Sequence, residues 1–369
     1  MKLNKKYIAL NNLIILQRGF DLPEIERVIG NIPVVASTGI IGSHNIAKVK
    51  GPGVVIGRSG SIGGGQYVAG DFWPLNTTLW VKDFKEHNPR FIYYVLKNID
   101  FSRFNFGTGV PTLNRNHIAN IKVLAFDKSQ EEKIADILSK YDDLIENNRR
   151  RIELLERSAR LLYKEWFVRL RFPGHEHTPI IDGIPEGWEK VRLKDIADLT
   201  MGQSPESEYY NEDRSGLPFH QGVTNFGIRF PENKVYCAKI TRIANEGDIL
   251  FSVRAPVGRM NISLEKIIIG RGLAAIRAKH NYQGFLYYHL KNYFFKEDMI
   301  GSGVIFASVT KAGLENVQLI KPKDSILAIF LDKTISIDEQ IKILFRQNQK
   351  LKQARDILLP KLMNGEIEV

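Results

Sequence analysis

Two sets of loop residues carry the chemistry that this chain can do. Arg58, Ser59 and Ser61 follow the apolar run Val54-Val55-Ile56, and Thr108, Thr112, Asn114 and Arg115 lie in a second polar stretch. Much later, Arg254, Arg259, Arg271, Ser302, Ser308 and Thr310 form a comparable set, with Gln221 and Asn225 in an earlier loop. Arginine can donate two parallel hydrogen bonds to guanine, and Asn or Gln can pair with adenine, on the major-groove edge. Ser, Thr and Lys suit phosphate oxygens. These side chains fit the reading of a nucleic acid better than the making or breaking of bonds.

Catalytic spacings are missing. No G-x-x-x-x-G-K-[ST] phosphate loop occurs, and Gly60-Ser61-Ile62-Gly63-Gly64-Gly65 lacks the Lys, so it reads as a turn between strands. Asn88-Pro89-Arg90-Phe91 is not the [DN]-P-P-[FYW] tetrapeptide of amino-methyltransferases, and Phe106-Gly107-Thr108-Gly109 lacks methyl-donor spacing. There is no H-E-x-x-H, and Glu186-Gly187-Trp188-Glu189-Lys190 is too common a pattern to signal a nuclease. The single cysteine, Cys237, reads as a small buried hydrophobe. His175 and His177 have no evident third ligand and fall in a linker. No catalytic residue, metal site or bound cofactor is assigned to the chain.

The charge agrees with a polyanionic partner. Over 369 residues, 52 Lys+Arg face 41 Asp+Glu, for a net charge of +11. Residues 1–127 hold 15 basic and 8 acidic side chains, so most of the excess sits in the first third. No apolar run reaches membrane-spanning length, and no signal peptide is read at the basic N-terminus. With one cysteine, a cytoplasmic setting is expected.

The elements that must position these loops occur twice. Phe91-Ile92-Tyr93-Tyr94-Val95-Leu96-Lys97-Asn98 matches Phe285-Leu286-Tyr287-Tyr288-His289-Leu290-Lys291-Asn292, and Gly107-Thr108-Gly109-Val110 matches Gly301-Ser302-Gly303-Val304. Leu10, Leu13, Leu16 and Gly19 match Leu193, Ile196, Leu199 and Gly202, and Arg58 falls opposite Arg254. Matches in one order with drifting offsets mean a duplicated domain. Gly53–Gly57 and Gly247–Phe251 read as short buried strands, the Phe-x-Tyr-Tyr-x-Leu blocks as short helices. Phe20, Phe72, Trp73, Phe104 and Phe106 read mostly as core.

Each copy is followed by a long helix. Leu138, Ile145, Ile152, Ala159 and Trp166 recur every seven residues, with Tyr141, Asn148, Leu155 and Leu162 at the second seam position. Asn148 is a polar break that can fix register. In the second helix Ile337, Leu344, Leu351 and Leu358 recur, with Gln340, Gln347, Ala354 and Lys361 as the weaker second position. Pro360 should stop or kink that helix, and Gly365 should mark the end of order. A seam so long needs a partner: the other helix, antiparallel, or a second chain. Arg171–Pro179 reads as a solvated linker. The expected organisation is a recognition domain over 1–128, a spacer helix over 129–172, a second domain over 173–323 and a second helix over 324–369. The fold class is α+β, two pseudo-symmetric mixed α/β domains separated by two long antiparallel coiled-coil helices.

This order resembles the specificity subunit of type I restriction–modification systems. Ile184-Pro185-Glu186-Gly187-Trp188-Glu189-Lys190-Val191-Arg192-Leu193-Lys194-Asp195-Ile196 is similar to the opening of that family's target-recognition domains. Gln130–Ser139 resembles the start of its spacer helix, and Ile180-Ile181-Asp182-Gly183-Ile184 its link between halves. Val34–Gly42 with Val55–Gly60 resembles one class of first recognition domain. Copy one departs from the pattern, with Lys6-Tyr7-Ile8-Ala9-Leu10 in place of the Gly-Trp opening, which leaves its first strand open.

The resemblance implies a DNA-reading subunit without activity of its own. Each domain would read half of a bipartite double-stranded target, and helix length would set the gap. Two methyltransferase subunits would bring S-adenosylmethionine, and restriction/translocase subunits ATP and Mg. A coiled-coil scaffold that never reads sequence, or a self-contained nuclease or methyltransferase, are the competing readings.

Overall fold

The structure is a computed structural model that describes residues 6–107, 109–294 and 308–369. It divides into two compact units, one running to Glu146 and completed by Asn348–Val369, the other Asn147–Gln347. Both boundaries cut through the two long helices.

In the first unit, β1 (Tyr7–Ala9) leads into the single turn α1 (Leu10–Leu13) and β2 (Ile15–Arg18). There follow β3 (Ile32–Ala36), β4 (Gly39–His44), β5 (Gly53–Gly57), β6 (Gly63–Val68), β7 (Trp73–Pro74) and β8 (Thr78–Asp83). The main sheet has the order β2-β8-β5-β6, and β4-β3-β7 form a smaller one. β5 is buried at every position, as a Val-Val-Ile run in the middle of a sheet should be. Against it lies α2 (Pro89–Asn98), whose start is set by Asn88: its side chain accepts from the N–H groups of Arg90 (2.9 Å) and Phe91 (3.3 Å), with Pro89 in the first turn. α3 (Arg115–Ile118) and β9 (Lys122–Leu124) follow, and β9 returns to pair with β1.

The second unit opens with the hairpin β10 (Ile180–Ile181) and β11 (Ile184–Pro185), then repeats the plan. β12 (Glu189–Arg192), α5 (Leu193–Ile196) and β13 (Ala197–Met201) correspond to β1, α1 and β2. β14 (Tyr210–Asn211), β15 (Leu217–His220), β16 (Tyr236–Cys237) and β17 (Ile243–Ala244) precede β18 (Ile249–Ser252), β19 (Met260–Ile262), β20 (Ile267–Ile269) and β21 (Leu273–Ala278). The main sheet β13-β21-β18-β19 mirrors that of the first unit, whereas the minor sheet has five strands, β14-β16-β15-β20-β17. α6 (Gln283–Phe294), α7 (Lys311–Glu315) and β22 (Gln318–Lys321) complete it, with β22 paired to β12. β1 settles the open first strand of copy one. The repeated Gly19 and Gly202 share a cause: an added Cβ would lie 2.1 Å from the carbonyl oxygens of Leu75 and Gly270, respectively.

α4 (Lys128–Tyr163) ends in a π turn over Lys164–Val168, and α8 spans Asp324–Met363. They run antiparallel. In the first unit Arg355 of α8 pairs with Asp142 of α4, and Asn348 donates to the Ile145 carbonyl at 3.1 Å. In the second, Asn148 donates to Gln347 Oε1 at 3.1 Å, while Ile152 packs with Ile341 and Leu344. On α4, Leu138, Ile152 and Ala159 are buried, and Ile145, Leu155 and Leu162 half-buried. On α8, Leu344 is buried and Ile337, Leu351 and Leu358 half-buried. The second seam position of α8 is one residue later than expected: Gln340, Gln347, Ala354 and Lys361 are exposed, while Thr334, Ile341, Asn348 and Leu362 are buried. The seam steps four residues, then three, and its polar Thr, Asn and Arg355 mask the period.

Three other expectations are corrected. Pro360 sits inside α8, which continues to Met363; so near the end, the missing N–H forfeits a single hydrogen bond. Gly365, at φ +61°, ends the helix, but Val369 beyond it still packs on the first core. Phe172 is not part of a solvated linker: it is buried, with its ring centroid 5.0 Å from that of Trp188.

A buried ionic cluster fastens the helices in the second unit. Arg229, 2% exposed, places Nε 3.1 Å from Glu156 Oε1 of α4 and pairs through Nη2 with Asp338 of α8. Nη2 also donates to Tyr288 Oη at 2.9 Å, and the guanidinium lies 4.1 Å from the Tyr287 ring centroid. Burial alone would lower the Arg229 pKa. Glu156, the two tyrosines and Asp338 outweigh that and hold it well above the usual value, so it stays charged. The first unit has a more open counterpart, in which Tyr94 donates to Asp142 at 2.8 Å beside Arg355.

Candidate nucleic-acid interface

In both units the loop that leaves the buried central strand is tied to the segment before the short capping helix. In the first, Ser59 bridges Thr112, Leu113 N–H donates to the Arg58 carbonyl at 2.8 Å and Gly60 N–H to that of Pro111 at 2.9 Å. In the second, Arg254 bridges Ser308 and Val309 N–H donates to the Val253 carbonyl at 2.9 Å. This register corrects the alignment of the arginines. Ser59, not Arg58, is the counterpart of Arg254, and Arg58 corresponds to Val253. The sequence offset used for the pair was one residue too long for this strand.

Arg58 is half-buried and its Nε donates to the Asn76 carbonyl at 3.0 Å. Burial first, then the neighbouring Arg18, lower its pKa. It braces the loop as much as it faces outward, whereas Arg254 is exposed. Ser61, Asn114 and Arg115 are exposed and Ser59 and Thr112 half-buried in the same cluster. Asn114 caps α3 by accepting from Asn116 N–H at 3.0 Å, and Thr310 caps α7 by accepting from Gly313 N–H at 3.1 Å. Their side-chain oxygens therefore have a local structural task. Thr112 Oγ1 donates to the Val110 carbonyl at 3.0 Å. Thr108 and Ser302 lie outside the described residues.

Gln221 and Arg271 join the second cluster through the backbone. Gly272 N–H donates to the Gln221 carbonyl at 3.1 Å, and Val253 N–H to that of Gly272 at 3.0 Å. Ser204 Oγ donates to Gln221 Oε1 at 2.8 Å and accepts from Arg271 N–H at 3.2 Å. Arg259 lies on the return of the Arg254 loop, where its carbonyl accepts from Ser252 N–H at 2.9 Å, and the Asn225 carbonyl accepts from Glu232 N–H at 2.9 Å. The 223–228 loop and Arg259 border a cavity of about 550 Å³, together with Pro256, Met260 and Lys291. Sequence reasoning missed Arg229 and the exposure of Phe106, which is 61% exposed rather than core. No group of three or more His, Cys, Asp or Glu that could hold a metal occurs among the described residues.

Paired loops of this kind, on pseudo-symmetric scaffolds with unlike side chains, present two different polar surfaces. A sequence-family model for the type I restriction modification DNA specificity domain matches residues 12–157 and again 185–353. The chain belongs to that family. It is the specificity subunit of a type I restriction–modification system, a DNA-recognition component rather than the catalytic one. Two curated relatives from Methanocaldococcus jannaschii are similar over most of their length. The MjaX type I restriction enzyme specificity subunit is 31% identical over 76% of this chain and 68% of its own. The MjaIX specificity subunit is 29% identical over 76% and 69%. Among solved structures, a type I restriction–modification S subunit from M. genitalium shares the fold, with a TM-score of 0.58 over 98% of this chain and 96% of that one, at 19% identity. The duplicated match of the specificity subunit agrees with its two equivalent loop bridges.

Proposed function

We propose that each recognition domain, residues 1–128 and 173–323, reads one half of a bipartite DNA target. The observation that carries this is the pair of equivalent bridges, Ser59 to Thr112 and Arg254 to Ser308, which put different donors at the same place on the same scaffold. Unlike residues at matched positions read unlike bases, so the target is asymmetric. α4 and α8 set the unread gap between half-sites.

The partners in this reading are two methyltransferase subunits and the restriction/translocase subunits. The first supply S-adenosylmethionine, the second ATP and Mg. The outer faces of the long helices suit docking: Leu154 and Leu161 of α4, and Ile335, Ile343 and Ile357 of α8, are exposed apolar side chains away from the seam. Among the described residues no helix is long and apolar enough to cross a membrane. We place the complex in the cytoplasm. Mapping adenine methylation across the host genome, with and without the gene, tests the reading. Loss of one gapped, two-part motif supports it. An unchanged methylome, with the partner subunits expressed, contradicts it.

A further inference from the structure

Phe106 is a large apolar side chain held in the open on the polar surface of the first unit. Phe101 and Phe104, from the same segment, join the core; Phe106 does not, and remains 61% exposed. Its position is built rather than incidental. Asn105 Oδ1 accepts from the N–H groups of both Gly107 and Thr112 at 3.0 Å, and Phe106 N–H donates to the Thr112 carbonyl at 3.1 Å. A Cβ on Gly107 would lie 1.8 Å from the Val110 carbonyl oxygen, so this turn is closed to any residue with a side chain. The turn is in turn tied to the Ser59 loop by the bridge at Thr112. Val110, 58% exposed, adds a second apolar group, and Arg115 and Asn116 at the start of α3 are also exposed.

A fixed, exposed aromatic ring among donors for phosphates and base edges has two uses on DNA. It can enter between base pairs as a wedge, or it can touch the C5 methyl of a thymine in the major groove. A wedge needs the ring free to enter between base pairs. Here the His117 imidazole packs against it in a tilted arrangement, with centroids 4.1 Å apart and an interplanar angle of 55°. The part of the ring left exposed suits an apolar contact with a methyl group. We propose that Phe106 is a specificity-determining residue of the first recognition domain, and that it reads a thymine methyl.

This rests on the reading of these loops as DNA-facing, and the test separates the two. The full chain, co-expressed with its partner subunits, is titrated against duplexes that carry the mapped target. Each thymine of both half-sites is replaced in turn by uracil, which lacks only the C5 methyl. For the unaltered protein, uracil at one thymine of one half-site should weaken binding about fourfold, the value of one buried methyl-sized group. Phe106→Ala should bind the unmodified target more weakly by at least that factor and lose nothing further on that uracil substitution. Phe106→Leu, which keeps an apolar contact, should fall between. Losses that multiply at every thymine, no uracil effect in either half-site, or a bend in the DNA that disappears with Phe106→Ala would each overturn the methyl contact. A complex that does not prefer the mapped target to a scrambled duplex would overturn the DNA reading itself, and the proposal with it.

Discussion

Removing Arg229 should cost more than removing any other charge in the second unit. Arg229→Ala leaves Glu156, 8% exposed at its side chain, and Asp338 without the guanidinium that neutralises them. Lys291, whose Nζ is 3.4 Å from Glu156 Oε2, compensates in part. Breaking a buried pair by deleting one partner typically costs about 3–5 kcal/mol, because the desolvated charge remains. In a unit of about 200 residues, 1 kcal/mol shifts the midpoint by roughly 2–4 °C, so a drop of roughly 6–20 °C is expected in the second unit's thermal transition. Scanning calorimetry of the full chain reads it. The Arg229→Met, Glu156→Leu, Asp338→Leu triple variant removes all three charges and should regain most of the loss, since apolar replacement of a buried ion pair is often neutral. Arg355→Ala, in the more open cluster of the first unit, should cost about half as much. A loss below about 1 kcal/mol for Arg229→Ala, or a triple variant no better than the single one, would refute the reasoning.

Deleting one heptad from each of α4 and α8 should remove about 10 Å of helix, which methylome mapping would read as a gap shorter by about three base pairs. Arg254→Ala should lower the slope of log affinity against log salt by about one if it contacts phosphate, and otherwise relax sequence preference at one position of one half-site. His289 is half-buried against Tyr163, whose hydroxyl is 2.7 Å from Nδ1, and desolvation of the ring pulls its pKa down to about 4 from an ordinary 6.5. The unfolded chain therefore binds the proton first as pH falls. Stability from this residue is complete above pH 6.5 and is lost between 6.5 and about 4, by about 3 kcal/mol, in urea titrations at stepped pH. His289→Phe should flatten that dependence.

Local patterns were the legible part of the sequence. The Phe-x-Tyr-Tyr-x-Leu blocks are helices because apolar spacing and their Lys-Asn endings agree, and Val54–Ile56 is a central strand because nothing polar interrupts it. Features that depend on distant partners were hidden. Arg229 is one arginine in a loop, and its acidic partners come from helices 73 residues before it and 109 after it. The second seam of α8 was displaced because Asn348 and Arg355, which hydrogen-bond across it, look like surface residues in a hydropathy reading. The Arg58–Arg254 pairing failed by one residue, since similarity alone does not show where a loop between matched blocks gains a position. Phe106 was counted with the core because composition does not say which of three neighbouring phenylalanines turns outward.

The discontinuity of the first unit bears on how the polypeptide acquires its shape as it is made. Leu359, Leu362 and Met363 belong to the same core as Leu10, Val54 and Phe91. The second unit, by contrast, is one uninterrupted stretch from Asn147 to Gln347. On a ribosome moving at roughly 5–20 residues per second, the early part of the chain emerges some 10–40 seconds before the residues that seal its core. The later half can thus close first, reversing the usual order of birth and folding, and the early half waits with its apolar floor uncovered. Loss of Lys350–Val369 would leave the first unit open while the second stands complete.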